Sequence, residues 1–391
     1  MVLQLVEEGR VALDDPISKH LTSYRADIGE RVTIHHLMSH TAGIPWGPDL
    51  WPNEKFTVPY SLDELVEIAN QEELAFEPGT DFRYCNSCYN LLGAMIEEVT
   101  GNTFEDELQR RILDPLDMTD TGLVEHNRIL ERRASGYNRL ATGEWVRAPL
   151  QDQSYAKGAG GMYSSVDDLY KWDRALYDND FLSLESQELM FTAYIRSSGY
   201  GWSVGAYARN GVDGLKKFAS GFGGTRGYAS LMARLMDDRA VVIALGNMRP
   251  IPQSRLGNNI WNTLLDFDES LPEPFGTESL YQTLLTDGVQ AAVAKYRTME
   301  IKETAPSAAA INSAAYYYLE SNRAAESIEI SNFNLALHPD YAGAYVRLGE
   351  AYRQQRNIDL AARQFEKALE IDPENTATTA ALKRIREMHH P

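Results

Sequence analysis

Long apolar runs, an excess of basic residues and an N-terminal leader are all missing from this sequence. No hydrophobic run reaches the roughly 20 residues that a membrane-spanning helix needs. Met1 is followed directly by VLQLVEE, without the basic segment and cleavage site of a secretory signal. The 37 basic residues are outnumbered by 56 acidic residues, and the formal net charge is -19. Since no basic stripe offsets this charge, the chain is not expected to bind nucleic acid.

Cysteine is almost absent, because Cys85 and Cys88 are the only two and form a single C-x-x-C. Such a pair occurs in redox-active disulfides and as half of a zinc site. The sequence has neither a thioredoxin-like context nor a second pair of ligands. We therefore interpret Cys85 as the residue that separates Tyr84 from Asn86, and the pair says little about the redox compartment.

The remaining composition is that of an ordinary soluble protein long enough for two domains. The chain has 391 residues, of which 43% are hydrophobic and 24% charged. Helix signals dominate its first half, for example the capping box at 61–64. Residues 229–235 and 241–245 alternate between apolar and other positions around a turn at 237–238, which predicts an antiparallel hairpin. Helices followed by strands indicate an α+β fold.

The last third of the chain is helical in pattern and contains a repeat. A segment rich in proline and acid, 266–275, predicts a linker. Beyond it, His338-Pro339-Asp340 recurs 34 residues later as Asp372-Pro373-Glu374. This period, with small and aromatic positions ahead of the proline, is typical of tetratricopeptide repeats. We expect two repeats within 308–374, a capping helix near 378–388, and a helical domain over 276–391 that carries its own core.

Tyr84 and Asn86 begin an apolar helix and carry the clearest chemical signal. A phenol can move a proton once nearby cations lower its pKa, and an amide can orient a carbonyl substrate. The pair resembles the Tyr-x-Asn motif of the penicillin-recognising serine hydrolases, which include class C β-lactamases, D-Ala-D-Ala carboxypeptidases and related esterases. Further landmarks follow in the family's order: LVEEG at 5–9, LMSHTAGIP at 37–45, GGMYSS at 160–165 and SGFGGT at 220–225.

The resemblance covers residues 1–265 and implies a β-lactamase-like domain, an antiparallel sheet covered by helices. In this family a serine attacks the carbonyl of an ester, amide, peptide or β-lactam, and no cofactor is used. Carried over by position, Tyr84 relays the proton and Asn86 holds the substrate amide. The third motif falls on Phe222, Gly223, Gly224 and Thr225. Phe222 then stands in the place of a basic residue, and the Thr225 N–H is the expected oxyanion donor.

The Ser-x-x-Lys element of the family is missing at the expected place, which would lie just upstream of Met1. The first helix, near 2–9, has no N-cap and has the pattern of a fragment. Ser154-Tyr155-Ala156-Lys157 matches the motif as text, but the glycines at 158, 160 and 161 predict a loop there.

Three hypotheses remain: a shortened serine hydrolase, an inactive pseudo-hydrolase that binds a ligand, or a scaffold in which only the repeats matter. In each case the chain as given is predicted to be inactive.

The sequence also supports expectations about metals, partners and location. His36 and His40 are four residues apart, but no third ligand follows at a familiar spacing, so no metal site is predicted. Instead, His40 is expected to hold its loop by hydrogen bonding. The expected partners are a small ester, amide or peptide substrate and a protein bound through the repeats. For a full-length form, the resemblance suggests the periplasm or cell envelope.

Overall fold

The structure is a computed structural model that describes residues 1–45, 58–125, 128–209, 212–249, 277–299, 306–373 and 375–389. The predicted linker 266–275 lies outside these residues. Up to residue 249 the helices of the described chain are α1 (Val2–Glu7), α2 (Ala26–Gly29), α3 (Ile34–Met38), α4 (Leu62–Ala69), α5 (Asn86–Thr100), α6 (Phe104–Leu108), α7 (Val166–Ala175) and α8 (Leu184–Met190).

A four-stranded antiparallel sheet is the main β-structure of the described residues. Its order is β5 (Ser203–Arg209), β6 (Val212–Thr225), β7 (Tyr228–Leu235) and β8 (Ala240–Gly246). The predicted hairpin is therefore confirmed as β7 and β8. Shorter strands form two small sheets: β1 (Gly122–Leu123) with β4 (Met162–Tyr163), and β2 (Tyr137–Arg139) between β3 (Trp145–Arg147) and β9 (Met248–Arg249).

Helix α5 lies at the centre of the largest apolar cluster. Its side chains from Leu91 to Ile96 are buried against α1, α3, α4 and α6. The helix ends at Gly101, whose φ of 73° closes the last turn in the left-handed conformation that favours glycine. Leu3 and Leu5 of α1 join the same cluster, although no side chain caps the start of α1.

The C-terminal part is a stack of helical hairpins, as the repeat predicts. Its helices are α9 (Glu278–Asp287), α10 (Val289–Thr298), α11 (Ala308–Glu320), α12 (Ala324–Leu337), α13 (Ala342–Gln354), α14 (Ile358–Ile371) and α15 (Thr376–His389). Gly349 of α13 lies against the ring of Phe365 on α14, where an added Cβ would approach to 2.6 Å. This close approach explains the small residue in the repeat pattern. None of the described helices is both long and apolar enough to cross a bilayer.

The first apolar cluster of the helical part also includes residues from the region of β2 and β3. Leu140, in the loop after β2, is only 2% exposed and packs with Leu280, Tyr281 and Leu284 of α9. Polar contacts join the same surfaces, among them a 3.1 Å hydrogen bond between Thr142 Oγ1 and the Tyr318 hydroxyl. The β2–β3 hairpin therefore contributes to the first helical core. The boundary at 265 stays a prediction.

The shared core predicts that Leu140→Ala destabilises the helical part. Removing a buried Leu side chain costs about 2–5 kcal/mol. Leu150→Ala is the matched control, since Leu150 is 61% exposed and its loss should change the unfolding free energy by less than about 0.5 kcal/mol. Urea unfolding followed by helical circular dichroism measures both. Equal effects would contradict the shared core.

Candidate functional site

The start of α5 places Tyr84 and Asn86 on either side of its N-cap residue, Cys85. The Cys88 N–H donates to Cys85 Sγ at 2.9 Å, and the two sulfurs form a disulfide. Both cysteines are buried. The sequence interpretation treated Cys85 as a mere spacer and so missed this link, although the C-x-x-C itself was the available signal. The disulfide joins the N-cap to the third helical residue and so restrains the turn that carries Asn86.

His40 holds the same turn from the other side. Its Nδ1 accepts a hydrogen bond of 3.2 Å from the Cys85 N–H, which confirms the predicted role of His40. Its ring centroid lies 4.7 Å from that of Tyr84 and 4.9 Å from that of Tyr89. His36 acts separately, since it forms a capping box with Thr33 at the start of α3.

The Tyr84 side chain is half exposed, and its ring packs against that of His40 at an interplanar angle of 41°. Burial raises the pKa of Tyr84 above its ordinary value of 10. The sequence argument placed Phe222 where the family has a basic residue, and the upward shift of the Tyr84 pKa has burial as its cause. At neutral pH Tyr84 is therefore a protonated phenol, able to donate a proton or a hydrogen bond.

Asn90 ties α5 to the loop that follows the Ser154–Ala156 turn. Its side-chain amide donates to the Tyr155 carbonyl at 2.9 Å, and its Oδ1 accepts from the Gly158 N–H at 3.1 Å. An added Cβ on Gly158 would lie 2.2 Å from the Tyr89 carbonyl oxygen. The loop and α5 are therefore in backbone contact.

The third motif lies on an unpaired strand edge. The pairing of β6 with β5 ends at Ser220 opposite Ser203, whereas its pairing with β7 continues to Thr225 opposite Tyr228. Antiparallel strands alternate between pairs that exchange hydrogen bonds and pairs that do not. The two-residue turn at 226–227 makes Thr225 and Tyr228 an exchanging pair. Hence the N–H groups of Phe222 and Gly224 face away from β7, where no described strand pairs with them.

This register changes two of the sequence assignments. The Thr225 N–H points to β7 and not to the open edge, so it is poorly placed as an oxyanion donor. Successive strand residues also face opposite sides, and Gly221 shares its side with Arg234, which is ion-paired to Asp173 of α7. Phe222 projects from the other side and is largely exposed. The residue that faces α7 and Trp202 is Gly221. It precedes by one residue the position that the motif comparison assigned to the family's basic residue.

The Thr225 hydroxyl anchors the end of this edge. It donates to Gln151 Oε1 at 3.0 Å and accepts from Gln153 Nε2 at 2.8 Å. It also hydrogen-bonds to Tyr155, the residue whose carbonyl is bound by Asn90 of α5. The start of α5 and the end of β6 are thus joined through one loop.

A cavity of about 1430 Å³ lies between these two elements. Tyr84 and Asn86 line one part of it, and residues 221–225 of β6 line another. The first residues of α1 line it as well. The structure therefore brings every sequence-predicted site residue to one cavity.

A nucleophile of the expected kind is not found among the described residues that line the cavity. None of them is a lysine, and the serines are Ser164, Ser165 and Ser230. Ser164 hydrogen-bonds to Thr121, and Ser165 caps α7. Ser154 and Lys157 do not line the cavity. The Ser154 hydroxyl accepts from the Tyr60 N–H at 2.7 Å and donates to Asp152, in agreement with the loop predicted there.

A Tyr-x-Asn helix start facing an open strand edge across a cavity is the arrangement of serine hydrolases that recognise penicillin. The β-lactamase family model matches residues 1–265, and the chain belongs to that family. A tetratricopeptide repeat model matches residues 342–375. The predicted fold class, a β-lactamase-like α+β domain followed by helical repeats, is thereby confirmed.

Three similar proteins illustrate the match. A penicillin-binding protein of Bacillus subtilis (strain 168) is 29% identical over 269 residues, which are 63% of this chain and 57% of that protein. The octameric penicillin-binding protein homologue of Pyrococcus abyssi has a TM-score of 0.60 and 28% identity, covering 72% of this chain and 67% of that one. A D-stereospecific amidohydrolase of Streptomyces has a TM-score of 0.54 and 25% identity, and the match covers 63% of this chain and 78% of that one. The chain thus spans about half the length of the curated relative.

Burial of His40 predicts a pH-dependent stability. Burial lowers the pKa of His40 from 6.5 to about 4. The unfolded chain therefore binds a proton at His40 more tightly than the folded chain does. As a result, the unfolding free energy falls by about 3 kcal/mol as the pH drops from above 6.5 to about 4. His40→Asn should remove that part of the slope, because Asn tolerates the φ of 58° at this position but does not titrate. Urea unfolding between pH 4 and 7 measures it, and parallel profiles would refute the assignment.

Gly158→Ala should strain the contact between α5 and its loop. The added Cβ would meet the Tyr89 carbonyl, and such overpacking costs about 1–3 kcal/mol. Gly221→Ala is the control, since its Cβ would approach nothing closer than the Trp202 ring at 3.9 Å. We expect a change below about 0.5 kcal/mol for the control in thermal or urea unfolding. A tolerated Gly158→Ala would show that the loop moves freely relative to α5.

Proposed function

We propose that the domain of residues 1–265 serves acyl transfer from the carbonyl of an ester, amide or β-lactam to a serine, followed by hydrolysis. The observation that carries this proposal is the shared cavity, in which Tyr84 and Asn86 of the α5 turn face the open edge of β6. The names of the relatives, a penicillin-binding protein and an amidohydrolase, support carbonyl substrates of this kind.

Each group has a distinct part in the proposed reaction. The Asn86 amide holds the substrate next to the scissile carbonyl. Tyr84, protonated at neutral pH because burial raises its pKa, gives its proton to the leaving group and takes up the proton that the attacking serine hydroxyl loses. The N–H groups of Phe222 and Gly224 at the strand edge stabilise the oxyanion, since backbone donors aimed at developing charge lower the barrier.

The acyl-accepting serine is proposed to come from outside the described cavity lining. Ser164 and Ser165 are engaged in local hydrogen bonds, and the described lining contains no lysine to activate a hydroxyl. Ser154 is likewise held by Asp152 and Tyr60.

A second candidate is a binding protein that holds a carbonyl ligand without turning it over. The lack of a lysine in the described cavity lining favours it. The tetratricopeptide match at 342–375 adds a module that commonly binds proteins, so a protein partner is proposed for the repeats. In this alternative Asn86 and the strand edge bind the ligand, and Tyr84 contributes a hydrogen bond.

Labelling by a fluorescent penicillin separates the two candidates. The chain of residues 1–391 should not be labelled and should not hydrolyse p-nitrophenyl esters above background, because the described cavity lining holds no lysine to activate a serine. The second arm uses the protein captured from its own cells with an antibody against the repeats. Labelling in that arm supports acyl transfer, and its absence supports the binding protein.

Ser154→Ala and Tyr84→Phe are the controls for this experiment. Ser154→Ala should leave all results unchanged, because Ser154 lies outside the cavity lining. Tyr84→Phe should slow labelling in the second arm by about a hundredfold, the usual scale for losing a general acid. Stoichiometric labelling of the 1–391 chain at Ser154 would overturn the proposal.

A further inference from the structure

The end of the first repeat helix, α11, meets the turn that follows the strand edge. Arg226, the first residue of that turn, lies with its Nε 3.7 Å from the Glu320 carboxylate at the end of α11. Both side chains are only 9% exposed. Buried opposite charges of this kind are costly to separate, because either one alone would be left without its counter-charge. The pair therefore couples the position of the turn to the position of α11.

A second contact from α11 reaches the same end of β6. The Arg249 guanidinium carbon would lie 3.5 Å from a Cβ on Gly224, and its Nη1 is 3.5 Å from the Thr225 carbonyl oxygen. The same guanidinium lies 5.7 Å from the centre of the Tyr317 ring on α11. Arg249 thus sits between the repeat helix and the last residues of the edge.

Glu320 is itself held within the repeat stack. It accepts a hydrogen bond from the Tyr316 hydroxyl one helical turn earlier. The Arg347 guanidinium, from α13 of the next repeat, lies 4.7 Å from the centre of the Tyr316 ring. Contacts therefore run from the second repeat, through Tyr316 and Glu320, to the turn after β6.

The strand edge needs such external support for a physical reason. Residues 221–225 extend beyond β5, so among the described strands only β7 pairs with them. A strand end with one neighbour opens easily, whereas oxyanion donors must be held within a fraction of an ångström. Thr225, bound to Gln151, Gln153 and Tyr155, is supported on the side of α5. The contacts of Glu320 and Tyr317 on α11 reach Arg226 and Arg249, which adjoin the same strand end.

We propose that Glu320 and Tyr317 of the repeat domain are positioning residues for the strand edge of the hydrolase domain. Any effect of these residues on catalysis rests on the proposed function, whereas their effect on the position of the strand does not. The first repeat helix is then not only a site for a foreign partner, because part of its surface already binds residues 226 and 249 of the same chain. A ligand that displaced α11 would loosen the oxyanion edge.

Hydrogen exchange on the full 391-residue chain tests the proposal without any activity assay. Glu320→Gln and Tyr317→Leu should each speed exchange of the β7-bonded amides of Gly221, Gly223 and Thr225 by about tenfold. Exchange in α13 and α14 should stay within about twofold of the parent chain. The matched control is Glu370→Gln, which removes an exposed ion pair with Lys367 on α14 and should leave the strand unchanged.

Two further variants separate positioning from general destabilisation. Glu320→Asp keeps the charge and should restore strand exchange to within about twofold of the parent chain. The double variant Arg226→Gln with Glu320→Gln should exchange no faster than the faster single variant, since either change alone already breaks the pair. Uniformly faster exchange throughout the chain, no effect on the strand, or equal effects of Glu320→Asp and Glu320→Gln would each overturn the proposal.

Discussion

The anchoring of the α5 N-terminus is the constraint on which the rest of the site depends. Cys85 caps the helix, is bonded to Cys88 and donates its N–H to His40. Because the body of α5 is buried in the main apolar cluster, its first turn cannot shift without disturbing the core. The positions of Tyr84 and Asn86, on either side of Cys85, are therefore fixed by the main apolar core.

The opposite wall of the cavity is built on a different principle. The end of β6 pairs with β7 alone and is secured by side chains around it, namely the glutamines at 151 and 153, Tyr155, and the arginines at 226 and 249. One wall is thus held by burial and the other by polar contacts. A polar contact is lost when either partner moves, so a movement of the helical part can change the geometry of this wall.

The helical repeats contact the β-lactamase-like domain at two places. Leu140 completes the apolar core of α9, and Arg226 meets the buried Glu320 of α11. The first contact concerns stability, and the second concerns the geometry of the strand edge. A repeat domain joined only by a linker would have neither contact, and its partners could not influence the cavity.

Local patterns in the sequence determined the elements and most of the residues that meet at the cavity. The β7–β8 hairpin and the 34-residue repeat follow from alternation and period, which depend on neighbours in the chain. Tyr84, Asn86 and the role of His40 follow from the family resemblance of short motifs. The register of β6, the raised pKa of Tyr84 and the Arg226–Glu320 pair could not be obtained in this way. Strand register is set by the paired strands and the turn, and a pKa is set by what surrounds the group in space. Only the tertiary structure decided that Gly221 and not Phe222 faces α7. It also decided that Glu320, which lies 95 positions after Thr225 in the chain, contacts the turn at the end of the same strand.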